Sequence, residues 1–208
     1  MTLFKKSLFA LAFIALLSSQ VFSQSVKMGI EGGLNFSNPS FTPNLQASSR
    51  TGMVVGGFAE FKVSPIVSIK PGVRYVMKGF TLPGIAGPVT FKTNYIEIPA
   101  LLKITFPLQQ VKPYIEAGPS LSLNVSANSE AAGLNQLQET DESRTFESTE
   151  FGLYFGSGLD FRVGSNIEMF TGIGYSLGLS NSLNSLTVTN VNSKNNGFRI
   201  TSGVKFDL

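Results

Sequence analysis

The chain has 208 residues, 42% of them hydrophobic and only 14% charged, with 16 Lys and Arg, 13 Asp and Glu, 21 glycines and 18 phenylalanines. An average soluble domain carries roughly a quarter charged residues, so this is not the make-up of an ordinary cytosolic enzyme. Histidine and cysteine are both absent. That excludes His-based acid–base catalysis, Ser-His-Asp and Cys-His nucleophiles, disulfides and His/Cys zinc sites together.

Lys5 and Lys6 precede the apolar run Leu8–Leu17, and Val21 and Ser23 then occupy the −3 and −1 positions of a cut before Gln24. This is the three-part layout of a secretory signal peptide. Ten apolar residues are too few to cross about 30 Å of hydrocarbon as a helix. Residues 1–23 are therefore expected to be cleaved, leaving 24–208 as one domain. No cysteine follows the run, so no lipid anchor is expected. Removal of two lysines leaves 14 basic against 13 acidic residues, and that balance gives no ground for a nucleic-acid partner.

From Val26 onward the chain alternates with period two. Val26, Met28, Ile30, Leu34 and Phe36 stand opposite Lys27, Glu31 and Asn35. The same pattern recurs over 53–63 (Met53, Val55, Ala59 and Phe61 against Glu60 and Lys62) and over 67–77 (Ile69, Val73, Tyr75 and Met77 against Lys70 and Arg74). It continues over 95–104, with Ile96, Ile98 and Leu102 against Glu97 and Lys103, and over 112–125, with Ile115, Leu121 and Leu123 against Lys112 and Glu116. Residues 150–163 set Phe151, Leu153, Phe155 and Phe161 against Glu150, Asp160 and Arg162; residues 167–179 set Met169, Ile173 and Tyr175 against Glu168. The last segment, 198–208, sets Phe198, Ile200, Val204 and Phe206 against Arg199, Lys205 and Asp207.

Eight such segments, each near the ~9–11 residues a tilted membrane strand needs, predict an all-β, eight-stranded, antiparallel up-and-down transmembrane β-barrel. Charge placement carries the assignment. Eighteen charged residues lie in or beside these strands, all on the polar register, as lipid requires when a mid-bilayer Lys or Arg costs ~2–4 kcal/mol. Connections alternate between long (37–50, 79–92, 126–148, 181–196) and short (64–66, 105–111, 164–166), the outer-membrane signature. Phe61, Phe106, Phe161 and Phe206 fall at the short-turn ends, and Phe36, Tyr75, Phe151, Tyr175 and Phe198 near the long-loop ends. These are the two aromatic girdles expected at headgroup depth. Thirteen glycines, Gly29, Gly174 and Gly203 among them, share the polar register, where they would relieve crowding beside long charged side chains in a narrow lumen.

The polar register puts Lys27, Glu31, Glu60, Lys62, Lys70, Arg74, Glu97, Lys103, Glu116, Asp160, Arg162, Glu168, Arg199 and Lys205 into the lumen, joined by Lys78, Lys112, Glu150 and Asp207. Ten basic against eight acidic groups favour a mutually neutralising filling over a selective pore or proton path. Glu130, Glu139, Asp141, Glu142 and Glu147 crowd one long loop without Ca²⁺-loop spacing, which favours a solvated acidic loop. No catalytic, cofactor-binding or metal-binding residues are expected.

Several segments resemble the outer-membrane β-barrel family of Bacteroidetes-type bacteria, the porin-family or PorT-like proteins. They are Tyr95-Ile96-Glu97-Ile98-Pro99-Ala100-Leu101-Leu102-Lys103, Pro113-Tyr114-Ile115-Glu116-Ala117-Gly118-Pro119 and the closing Gly203-Val204-Lys205-Phe206-Asp207-Leu208. The resemblance implies residence in a Gram-negative outer membrane, contact with lipid and with the outer-membrane assembly machinery during biogenesis, and no shared catalytic residues. The expectation is a structural or interaction barrel working through long extracellular loops, with an envelope or extracellular partner whose identity the sequence leaves open. The alternative is a transport-related barrel, either a narrow channel or a PorT-like accessory of protein secretion.

Overall fold

The computed structural model describes residues 26–43, 46–84, 87–108, 110–132, 137–141, 145–183 and 191–208; the expected signal segment lies outside them. Eight long strands make the wall: β1 (Val26–Ser37), β3 (Ser48–Lys62), β4 (Val67–Leu82), β5 (Val89–Thr105), β6 (Val111–Ala132), β8 (Thr149–Arg162), β9 (Ile167–Gly178) and β11 (Gly197–Asp207). Three short ones, β2 (Ser40–Thr42), β7 (Leu137–Asp141) and β10 (Asn192–Lys194), lie in the long connections. Each wall strand pairs antiparallel with its neighbours in the chain, and β1 pairs with β11 to close the ring. Closure leaves the wall no open edge, so its backbone polar groups are satisfied within the bilayer.

The register sets the size of the interior. Partners followed once round the wall run Val26, Phe61, Ile69, Leu102, Ala117, Phe155, Tyr175, Phe198 and back to β1 at Phe36, ten residues from the start. A stagger of ten over eight strands tilts them by about 41° and gives a backbone radius of about 8 Å. Side chains from opposite walls meet across such a space.

Burial inverts the order of a soluble protein. Along β1 the lysine, glutamate and asparagine of the polar register are buried, while Met28, Ile30 and Leu34 are exposed. The same holds round the ring, from Val73 on β4 to Ile173 on β9 and Ile200 on β11. Two hydroxyls that do face outward satisfy each other, Ser202 Oγ donating to Thr171 Oγ1 at 3.0 Å. The expected girdle residues lie on the outward register, with Phe151, Phe106, Tyr175, Phe206 and Phe198 among the exposed large hydrophobics. Phe151 and Phe161 are ten residues apart on β8, about 25 Å along the barrel axis at this tilt, which matches the ~25 Å apolar band of outer-membrane barrels.

The long connections are more ordered than the patterning suggests. β4 reaches Leu82 and β5 begins at Val89, so most of the stretch expected as a loop over 79–92 is ladder; β6 likewise runs on to Ala132. The cause is that these extensions rise above the lipid, where alternation no longer sorts charge from apolar surface. Above the mouth they enclose a small core of Phe41, Phe80, Ala127, Phe146 and Leu183, with Leu82, Phe91 and Val191 packed against it. Phe80 stands edge-on to Phe41 and stacks with Phe91, each at 5.0 Å between centroids. β2 pairs with β10, and Phe146 bridges to Leu183, so three of the four long connections are tied to one another.

A charge placed in the lipid face tests this register. Ile173→Arg should destabilise the folded barrel by ~2–4 kcal/mol in urea titrations from lipid vesicles, whereas Asn192→Arg in the cap should leave the midpoint nearly unchanged.

Candidate functional site in the barrel lumen

The inward register of eight strands converges on one lattice of charges. Seven basic side chains (Lys27, Lys70, Arg74, Lys78, Lys103, Arg199, Lys205) and seven acidic ones (Glu31, Glu60, Glu97, Glu116, Glu150, Asp160, Glu168) are buried. The buried set is neutral.

Its layers follow the axis. Midway along, Arg199 on β11 meets Glu97 on the opposite wall, β5, through two bonds of 2.6 and 2.7 Å, while its Nε donates to Asn35 Oδ1 at 3.1 Å. Arg74 pairs with Glu31 and lies 3.6 Å from Glu97, and Lys70 bonds Glu116 at 3.1 Å. Nearer the short turns, Lys103 and Lys205 share the same two acceptors, each 3.3 Å from Glu60 Oε2 and 2.7 Å from Asp160 Oδ2. Nearer the long loops, Glu150 accepts from Tyr95 Oη at 2.6 Å, Asn195 Nδ2 at 2.8 Å and Lys78 Nζ at 3.4 Å. A void of about 10 Å³ beside Lys78, Glu97 and Glu150 holds one water at most.

Rings fill the space between the charges. Lys103 lies 4.0 Å from the Tyr114 ring centre, Lys70 4.3 Å from Phe58, Lys78 4.4 Å from Tyr95 and Arg74 4.9 Å from Tyr154. These contacts are attractive, more so where the cation is desolvated. The register glycines serve these rings more than the charged side chains they were expected to relieve. A Cβ at Gly203 would stand 2.7 Å from the Phe170 ring and one at Gly172 2.6 Å from Tyr114 Oη; Gly29 and Gly174 are blocked in the same way by Phe58 and Tyr154. The charge pattern alone missed the inward aromatics. The signal was present, because Phe58, Tyr114, Tyr154 and Phe170 all sit on the polar register.

Two expected lumen residues stand at its short-turn mouth and outside the buried lattice. Arg162 is at the short-turn mouth, its side chain 54% exposed and 3.6 Å from Glu168. Lys62 is at the same mouth, half-buried, with no ion pair among the described residues. Both end their strands; Arg162 reaches water, and Lys62 lines the hollow that opens at the mouth. In the expected acidic loop, Glu130 pairs with Lys92, and among the described residues no three acidic side chains gather as a metal site would require. Glu142 lies outside the described residues.

Paired burial makes single deletions costly, because one truncation strands the partner's charge. Arg199→Ala should cost about 3–5 kcal/mol in equilibrium unfolding. The double variant Arg199→Met, Glu97→Met should recover most of that loss, since no buried charge is then left over.

A family model described as "Outer membrane protein beta-barrel domain" matches residues 22–184. Among solved structures, neisserial surface protein A superposes with a TM-score of 0.53 at 19% identity, covering 87% of this chain and 97% of that one. Ail of Yersinia pestis gives 0.45 at 13%, covering 86% and 98%. The N-terminal barrel domain of Pseudomonas aeruginosa OprF gives 0.43 at 12%, covering 86% and 97%. No match was found among curated protein sequences. The family match spans most of the chain, and its lipid-facing apolar wall needs a membrane around it. The chain belongs to the outer-membrane β-barrel family and resides in the outer membrane.

Proposed function

We propose that this protein is a plugged barrel that acts by presenting its extracellular cap to a partner, rather than by passing solutes or catalysing a reaction. The observation that carries the reading is the pairing of a neutral, ring-packed lumen with outer connections consolidated round their own apolar core. A pore has no use for seven buried cations each facing a carboxylate or a ring. A recognition surface does benefit from loops that are ordered before binding, since less conformational entropy is then lost on contact. The surface offered is polar: Ser40, Thr42, Asn192 and Lys194 are exposed on the two strands that join the first and last long connections.

An enzymatic role is no part of this reading, because the inward carboxylates are occupied by cations and none is free in a cleft. The narrower likeness to PorT-like barrels rests on segments whose charged members serve the plug. Glu97 receives Arg199, Lys103 joins Asp160 and Glu116 joins Lys70.

Reconstituted in planar bilayers, the wild type should carry little steady current, and truncating Arg74, Glu97 and Arg199 together to alanine should raise it. A large, stable wild-type conductance would overturn the reading. In intact cells, a photo-crosslinker at Asn192 should capture a discrete partner, and one at lipid-facing Val73 should not. Equal patterns from the two positions would remove the recognition role.

A further inference from the structure

The fourteen buried charges cancel, and those at the short-turn mouth do not. Round that mouth stand Lys62, Lys112 and Arg162, partly exposed, against Asp207, which already bonds Lys27 at 3.1 Å. The buried carboxylate nearest this end, Glu168, is shared by four cations: Lys27 at 2.7 Å, Lys112 at 2.8 Å, Lys205 at 3.5 Å and Arg162 at 3.6 Å. Glu60 and Asp160 are held by Lys103 and Lys205 one layer deeper. The side chains round the mouth therefore carry a net excess of two positive charges, and Lys62 is the one with no ion pair among the described residues.

They border a cavity. A hollow of about 220 Å³ opens at this end, lined by Lys27, Lys62 and Lys112, by Ser68 and Thr105, and by the carboxylates Glu60, Asp160 and Glu168 that the lysines already hold. It is large enough for a phosphate-sized group and its hydration water. Its walls supply ammonium groups and hydroxyls, and its acids are already engaged. Counted over the whole of this end, six cations (Lys27, Lys62, Lys103, Lys112, Arg162, Lys205) face four side-chain carboxylates (Glu60, Asp160, Glu168, Asp207), and a positive excess between low-dielectric walls concentrates anions.

We propose that this periplasmic mouth is an oxyanion-binding site, taking a phosphate or carboxylate group with Lys62 and Lys112 as its principal cations. Lys62 supplies the unpaired charge. Lys112 can turn from Glu168 without stranding it, because Lys27 and Lys205 remain. Arg162 stands at the rim, where its exposed guanidinium meets an incoming anion first. The lattice of paired buried charges lies between this hollow and the apolar cluster at the long-loop end, so the site is independent of what the outer cap recognises.

The test is a titration of the full-length folded barrel, in a phosphate-free uncharged detergent at low salt, with inorganic phosphate. It is read by amide shifts at the ends of β3 and β6 and by ³¹P line width. Saturable binding is expected, weakened about tenfold or more in Lys62→Gln, Lys112→Gln, with each single variant intermediate. Lys92→Gln, at the far end, should bind as the wild type does. Heat-modifiable migration on gels certifies that each variant is folded, and the single Lys62→Gln variant decides the matter if the double one fails to fold. Absence of saturation, equal affinity in Lys62→Gln, or equal competition by chloride would overturn the proposal. A second arm repeats the titration in phosphatidylcholine vesicles with and without phosphatidylglycerol. Loss of phosphate binding only with the anionic lipid identifies a headgroup as the oxyanion, and unchanged binding identifies a soluble one.

Discussion

A ring of eight strands staggered by ten residues leaves an interior about as wide as two facing side chains, and every other feature answers to that limit. The space is too narrow for bulk water and too wide to leave empty. A polar group placed there cannot rely on solvent for its hydrogen bonds, and a charge there needs an opposite charge within reach. Arg199 and Glu97 meet that need across the full diameter, from walls four strands apart. The pairing is the geometric consequence of long side chains sharing a narrow tube, and the neutrality of the buried set follows from the same cause.

Packing completes what pairing begins. Fourteen charged side chains do not tile a tube, because their ends are small and their stems thin. Phe58, Tyr114, Tyr154 and Phe170 take up the remaining volume, and each does so by leaning against wall positions where a Cβ would collide. Glycine in a strand ordinarily weakens it. Here the loss is offset by a ring that has nowhere else to go and by cations that lie over its face. Wall and filling are thus chosen together, and a substitution in either is felt in the other.

This coupling explains what the sequence made legible. The fold could be read because lipid imposes a rule on one face: no charge appears at Met28, Ile30, Val73 or Ile173, and the glycines crowded onto the polar register set a membrane barrel apart from a soluble one that alternates in the same way. Closure, strand number and the inward set followed from it. The partners within the lumen could not be read, because period two says which face a residue occupies and nothing about what reaches it from the far wall. Arg162 and Lys62 keep the inward register but end their strands, and period two does not say how near a mouth a residue stands. Above the lipid the rule lapses altogether. Phe80 and Phe91 then look like loop residues, although they belong to ladders that build the cap.

The two ends of the barrel depart from the neutral middle in opposite ways. At the long-loop end the described residues gather round a buried apolar core of Phe41, Phe80 and Phe146. At the short-turn end the cations outnumber their partners and the tube opens into a hollow. A plug built only for stability would have no reason to be asymmetric, since neutral pairing or apolar closure would serve at both ends. The asymmetry places an ordered cap with a dry core at the long-loop end and a wet hollow with an excess of positive charge at the short-turn end. The lattice between them insulates each from the other, because Arg199, Arg74 and Lys103 are locked by partners on several strands and cannot relay a local change without breaking buried pairs.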